Sequence, residues 1–335
     1  MTGLERVKAV FEEKTPDRLP VVPIVHSALA TIFEVPFKDF YLKADSMADT
    51  MIKGYRKFGY DGVQLSLGVV TEAEALGARV DLSPAGMPVL KEWLLDEYSK
   101  LNGLKRIDPT CGGRLPMFFK TVEKVVREIG REAFVIATIR GPLLMASQLR
   151  GVEQILIDLI EEPEMASEIL EFTTDVSLQV GKWLLGTGAH GLAIGEATCS
   201  PNFISPNLYR RTVHGCHKRL AEGLKQAGWG AVGLHICGDT RSIIDDVIAT
   251  GADFLDIDYQ VPAEEAIELA QGRIVLRGNL DPVSVLRFGN VEKVQQETRK
   301  LKNEVSKSRW IMSSGCDIPP GTPPENIKAF VDATF

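Results

Sequence analysis

Short apolar runs alternate with longer amphipathic ones along the whole chain. The β-rich runs fall at Val21–His26, Gly62–Leu67, Phe134–Ile139, Gly191–Glu196, Ala231–His235, Phe254–Ile257, Ile274–Gly278 and Trp310–Ser314. Between them the apolar period lengthens to that of a helix, in Ser46–Phe58, Met117–Ile129, Pro163–Leu185, Pro206–Ala227, Arg241–Thr250, Ala263–Ala270, Val291–Lys307 and Pro324–Ala333. Several of these open with proline in the first turn, where its missing N–H is no loss. Strand–helix repetition requires parallel pairing, and eight such units close an α/β fold of the (β/α)8 TIM barrel type. An open doubly wound sheet is the alternative, but no Gly-x-Gly-x-x-Gly turn follows the first run.

Two segments depart from the pattern. Residues 69–95 hold Ala78–Leu82 and Met87–Leu90 around Ser83-Pro84-Ala85-Gly86, which reads as a hairpin inserted after the second strand, near the barrel mouth. Leu4–Glu13 is apolar at helical spacing and is expected to plug the N-terminal side of the barrel. No repeat, low-complexity tract or flexible linker divides the 335 residues, so residues 1–335 are expected to form one barrel domain with insertions. With 44% hydrophobic and 25% charged residues, disordered, collagen-like and coiled-coil classes are excluded.

The net charge of −7 argues against nucleic acid as the main partner, and no apolar stretch approaches the roughly 20 residues of a membrane span. With no apolar leader at its start, the chain reads as a cytoplasmic protein. Five cysteines, Cys111, Cys199, Cys216, Cys237 and Cys316, are an odd number in a chain with a full core, which disfavours a disulfide scaffold and makes metal or catalytic use worth testing.

Barrel enzymes carry their chemistry on the loops after the strands. Here the runs end in polar residues: His26, Glu196, His235-Ile236-Cys237-Gly238-Asp239, Asp256 and Asp258, Asn279-Leu280-Asp281, and Ser314-Gly315-Cys316-Asp317. In extended chain a spacing of two puts His235 and Cys237 on one face, where imidazole and thiolate can address one ion. Cys316, also at a strand end, supplies a third ligand, and His/Cys/Cys with an open fourth position suits a catalytic Zn2+. The alternative is that both cysteines are small core residues and His235 a hydrogen-bonded core histidine. Glu196 can complete the coordination shell or act as acid or base; its alternative is a salt-bridged loop acid. Cys111 and Cys216 read as structural, and His214 and His217 as packing or surface residues of a helix. Neither a Gly-x-Ser-x-Gly elbow nor a phosphate-binding P-loop is present.

An ordered set of segments runs through the chain: Pro16-Asp17-Arg18-Leu19-Pro20-Val21, Gly141-Pro142, Ser205-Pro206, His235-Ile236-Cys237-Gly238-Asp239 and Gly278-Asn279-Leu280-Asp281-Pro282. Together they resemble the uroporphyrinogen decarboxylase superfamily, a family of (β/α)8 barrels, from about residue 4 to the C-terminus. Its decarboxylases carry arginines directly after the first strand, whereas this chain has His26-Ser27-Ala28-Leu29-Ala30. The resemblance is to the corrinoid-dependent methyltransferase branch, whose zinc is held by His-x-Cys and a distant cysteine.

That resemblance implies one Zn2+ per chain on His235, Cys237 and Cys316. It also implies a methyl group exchanged between a corrinoid (methylcobalamin) on a small partner protein and a small thiol or another one-carbon acceptor or donor. Glu196 and Asp239 are then the candidate catalytic residues, with Asp239 and Asp317 orienting ligands, and His26, Asp258 and Asn279 the candidate substrate-binding residues. Tetrapyrrole decarboxylation and a non-catalytic corrinoid- or metal-binding module are the competing functions.

Overall fold

The computed structural model describes residues 1–82, 88–105 and 107–335. Seven strands pair in parallel: β1 (Gly62–Leu65), β4 (Phe134–Arg140), β5 (Gly191–Gly195), β6 (Val232–His235), β7 (Phe254–Ile257), β8 (Val275–Leu280) and β9 (Trp310–Ser314). They neighbour one another in sequence order, with helices on the outside, in a curled, TIM-barrel-like sheet. Two short strands, β2 (Val80–Asp81) and β3 (Val89–Leu90), pair antiparallel after β1; the Ser83-Pro84-Ala85-Gly86 turn expected between them lies outside the described residues. Among the described residues no helix is long and apolar enough to cross a membrane.

The first apolar run differs from its expectation. Val21–His26 lies between β9 and β1, with the Val22 amide donating to Met312 O (2.9 Å) and the Asp61 amide to Val21 O (2.7 Å), but it makes only an isolated bridge at Val21–Met312. Pro20 and Pro23 lack the amide hydrogens that a ladder needs, so this stave of the barrel is extended without being a full strand. The long helix expected over Pro206–Ala227 is also two, Pro206–Thr212 and His214–Ala227. Next to the joint the Thr212 hydroxyl donates to Leu208 O (2.7 Å), a back-bond of the kind that bends helices.

Alternation along the strands separates two cores. Val135, Ala137 and Ile139 of β4 face the helices, while Phe134 and Ile136 join Val22, Ala193, Phe254, Val275 and Ile311 in an inner apolar cluster. Val7 and Val10 of the helix Gly3–Phe11 share that inner cluster. Further along the same inner faces, toward the C-terminal strand ends, the residues become polar: Thr138 and Arg140 on β4, His235 on β6, Asp256 on β7, Arg277 and Asn279 on β8. Register aligns Arg140, Gly195, His235, Asp256 and Arg277 in one row across five adjacent strands.

Candidate metal centre and cavity

His235 ends β6, and the chain then turns at Gly238, whose φ of +86° is comfortable only for glycine. A side chain at 238 would also meet Ser200 Oγ at 2.6 Å. This turn brings Cys237 back beside His235, and Cys316, two residues beyond β9, completes the group. The separations are 3.4 Å from Cys237 Sγ to His235 Nε2, 3.8 Å between the sulfurs, and 3.7 Å from Cys316 Sγ to His235 Nε2. Two sulfurs at about 2.3 Å and a nitrogen at about 2.0 Å from one tetrahedral zinc lie roughly 3.5–3.8 Å from one another. The three donor atoms therefore already form one face of such a tetrahedron.

The imidazole is oriented from behind. His235 Nδ1 lies 2.9 Å from Asp256 Oδ2, and Arg277 donates to both oxygens of Asp256 at 2.6 Å. Arg277 is held in turn by Gln64 and lies 5.3 Å from the centre of the Phe254 ring. Burial pushes the Asp256 carboxyl up, but the Arg277 charge and the His235 bond outweigh it and hold the group below the ordinary carboxylate range. A carboxylate on Nδ1 leaves Nε2 as the atom that could bind a metal.

Burial pulls the His235 imidazole down, and the Cys237 charge together with the bonds to Asp256 and both thiols overcomes it, raising it well above its ordinary value. The hydrogen bond from Cys316, with the charge of His235, lowers the Cys237 thiol to about 4. The bond to Cys237 and burial push the Cys316 thiol up. One thiolate stabilised by its neighbours is the condition a soft metal ligand requires.

The three side chains open onto a cavity of about 240 Å3 whose wall also includes His26, Tyr41, Ser66, Thr138, Arg140 and Asp317. His26 stands where a substrate-facing residue is expected, with Nδ1 3.0 Å from Asp317 Oδ1 and Nε2 buried without a hydrogen-bond partner. Glu196 also borders the cavity, but both its oxygens are engaged elsewhere. They accept the amides of Leu143 and Leu144 (2.9 Å each) at the N-terminus of the helix Pro142–Arg150, and Oε1 lies 3.0 Å from His217 Nε2. Gly141 permits this, since a Cβ there would lie 2.3 Å from the Glu196 carboxylate. To act as a fourth metal ligand Glu196 would have to abandon a helix terminus that favours negative charge.

Three other expected site residues stand off the cavity wall. Asp239 is clamped by Arg241, Nε to Oδ1 at 2.8 Å and Nη2 to Oδ2 at 2.6 Å. Asp258 accepts the Gly238 amide (3.0 Å), which fixes the turn carrying Cys237. Asn279 donates to Asp258 O (3.3 Å) and Val261 O (2.7 Å). Asp256, a polar strand end without an expected role, and Arg277 and Arg140, which the sequence reading does not single out, are the further residues that the structure brings to the site. The signal lies in the pattern: Asp256 and Arg277 are charged residues inside apolar runs and Arg140 directly follows one, all in phase with the inward face.

The family model described as uroporphyrinogen decarboxylase (URO-D) matches residues 2–334. A methylcobamide:CoM methyltransferase of Methanosarcina acetivorans is 24% identical over 99% of this chain and 97% of its own. A uroporphyrinogen decarboxylase of Prochlorococcus marinus is 22% identical over 83% of this chain and 80% of its own. Among solved structures, a methyltransferase from Methanosarcina mazei superposes with a TM-score of 0.92, at 22% identity, covering 100% of this chain and 98% of the other.

Proposed function

Because the chain belongs to the uroporphyrinogen decarboxylase family, and it carries a three-donor group at the barrel mouth with no arginine in His26–Ala30 after its first apolar run, we propose that it is a zinc-dependent methyltransferase. In this reading a methyl group moves between a corrinoid carried by a small partner protein and a small thiol. The observation that carries it is the triangle of His235 Nε2, Cys237 Sγ and Cys316 Sγ, with edges of 3.4–3.8 Å, opening onto a cavity. The methylcobamide:CoM methyltransferases among its relatives support the same chemistry.

Zinc held there would supply a Lewis acid that lowers the pKa of a thiol brought to the open fourth position. The chain's residues do the rest. Asp256 and Arg277 fix the imidazole, and Asp258 fixes the Cys237 turn through the Gly238 amide. The methylated corrinoid on its partner protein would supply the methyl group and retain the electron pair of the bond broken, and the thiol would give up its proton. A cavity of about 240 Å3 suits a small thiol, whereas ligands of drug size already need roughly 300–1,000 Å3. A tetrapyrrole with eight carboxylates would lie largely outside it.

The test combines metal analysis with a methylcobalamin demethylation assay followed by absorbance. Protein purified without added metal is expected to hold about one zinc per chain and to demethylate methylcobalamin only when a thiol is present. Turnover of uroporphyrinogen by metal-free protein would overturn the reading in favour of decarboxylation. Corrinoid-protein binding without transfer to any acceptor would leave a non-catalytic module.

A further inference from the structure

Cys237 and Cys316 meet although strand pairing does not bring them together. They follow β6 and β9, which two other strands separate, so about 14 Å lies between those strands across the sheet. The loops close that distance and place the two sulfurs 3.8 Å apart, in van der Waals contact. The other three cysteines donate to oxygen instead: Cys199 to Glu196 Oε2 (3.5 Å), Cys216 to Thr212 O (3.9 Å) and Cys111 to Asp108 O (3.8 Å).

Both backbones beneath the pair are pinned. The Gly238 amide donates to Asp258 Oδ2 (3.0 Å) and the Gly315 amide to Leu280 O (2.8 Å). A Cβ on Gly315 would lie 2.5 Å from the Tyr259 nitrogen, so that loop is packed down closely. Bringing the sulfurs together therefore falls to the two side chains. A disulfide holds its sulfurs at about 2.05 Å, so each has to move roughly 0.9 Å, within reach of small changes in side-chain torsion. Bound zinc would oppose this, because each sulfur then commits a lone pair to the metal and the tetrahedron keeps the two apart. Without the ion the two thiols face each other on the wall of a cavity that a small molecule can enter.

We propose that Cys237 and Cys316 close a reversible disulfide in the metal-free protein, which makes the pair a thiol–disulfide switch on metal binding. The oxidant is a small organic disulfide, the oxidised form of the thiol class that the cavity is proposed to take. One cysteine thiolate attacks a sulfur of this disulfide, whose S–S bond breaks and releases a first small thiolate. The second cysteine thiolate attacks the protein-bound sulfur, the Cys237–Cys316 bond forms, and a second small thiolate leaves. The two protons given up by the cysteines end on the two released thiols, so two protein thiols are oxidised and one small disulfide is reduced. Closure leaves His235 as the remaining donor of the three, too few to hold zinc. As a switch of activity this rests on the zinc-dependent methyl-transfer reading; the disulfide itself does not.

The experiment compares protein as purified with protein stripped by a chelator, both treated with 2-hydroxyethyl disulfide in the absence of oxygen. Stripped protein is expected to lose two of its five thiols to a cross-link, with mass spectrometry joining the peptides of Cys237 and Cys316, and to take up zinc again only after dithiothreitol. Protein as purified should cross-link at least tenfold more slowly. Exposed Cys111 takes up half of the reagent as an adduct, and Cys111→Ser removes that adduct while leaving the cross-link. Cys316→Ser should halt at a mixed disulfide on Cys237.

Stripped protein that keeps both thiols, joins a different pair, or carries an adduct on each cysteine without closing would overturn the switch. So would zinc retained by the cross-linked protein, or equal rates in the two samples when the first holds zinc. A Cys237–Cys316 cross-link that forms equally fast in both, with no zinc in the protein as purified, would keep the disulfide and overturn the zinc reading.

Discussion

Two groups of histidine, cysteine and carboxylate side chains sit at the same end of the barrel, and both could in principle hold a metal: His235, Cys237 and Cys316, and Glu196, Cys199 and His217. Their compositions are similar; their partners are not. In the second group, Glu196 is bonded to two helix amides and to His217, whose Nδ1 lies 2.9 Å from Tyr209 OH, and Cys199 Sγ lies 3.5 Å from Glu196 Oε2. All three residues are buried, and protein atoms already meet their donors and acceptors. In the first group the donor atoms face mainly one another and open onto a cavity. Ligand type therefore does not distinguish a metal centre from a structural polar cluster; what matters is which lone pairs the fold has left free.

The largest effect expected of this contrast is on metal content. Cys237→Ser or Cys316→Ser should reduce zinc from about one per chain to near zero and slow methyl transfer by about a thousandfold, while Cys199→Ser keeps its zinc. Metal analysis of the three variants decides it, and zinc retained by both of the first two would sink the assignment. Next comes the support behind the imidazole: Asp256→Asn should weaken zinc about 10–100-fold in competition with a chelator, since Nδ1 loses its carboxylate partner.

Glu196→Gln should act in the opposite way. It removes a buried charge from a helix terminus and from His217, so urea denaturation should show a loss of about 2–4 kcal/mol with zinc still bound. A Glu196→Gln protein of wild-type stability that lost its metal would instead make Glu196 a ligand. The smallest effect concerns thiol chemistry. Burial, aided by the Glu196 charge, pushes the Cys199 thiol well above its ordinary value of 9.0, so the native protein favours the protonated form. Iodoacetamide at pH 8 should label the exposed Cys111 and spare Cys199 until the chain unfolds. The stability linked to Cys199 is fully present below pH 9 and declines as the pH rises past the unfolded thiol's value.

Much of this was legible beforehand, for identifiable reasons. The run Phe254–Ile257 and the run Trp310–Ser314 are strands with those same limits, because period and turn residues agree there. The run Val21–His26 is not, because Pro20 before it and Pro23 within it fail a test that apolar period alone does not apply. His235 and Cys237 were readable as a pair because two-residue spacing is a local property of extended chain.

The positions of Asp239, Asp258 and Asn279 were not readable in the same way. Each stands at a strand end as barrel sites do, yet Arg241 draws Asp239 away, and Asp258 and Asn279 are committed to main-chain groups of the loops. Nor does sequence say that Asp256, rather than Asp258, backs the imidazole; that depends on the register of β6 against β7, which pairs His235 with Asp256.

By itself, then, the sequence determined the alternation of strand and helix, the polar ends of the strands and the placing of His235 and Cys237 as a pair, since each depends on residues near one another in the chain. Tertiary structure decided which carboxylates are free. It turned Glu196 into a helix anchor and left Arg140 Nε without a hydrogen-bond partner, because such partners are allotted by register and packing between segments far apart in sequence.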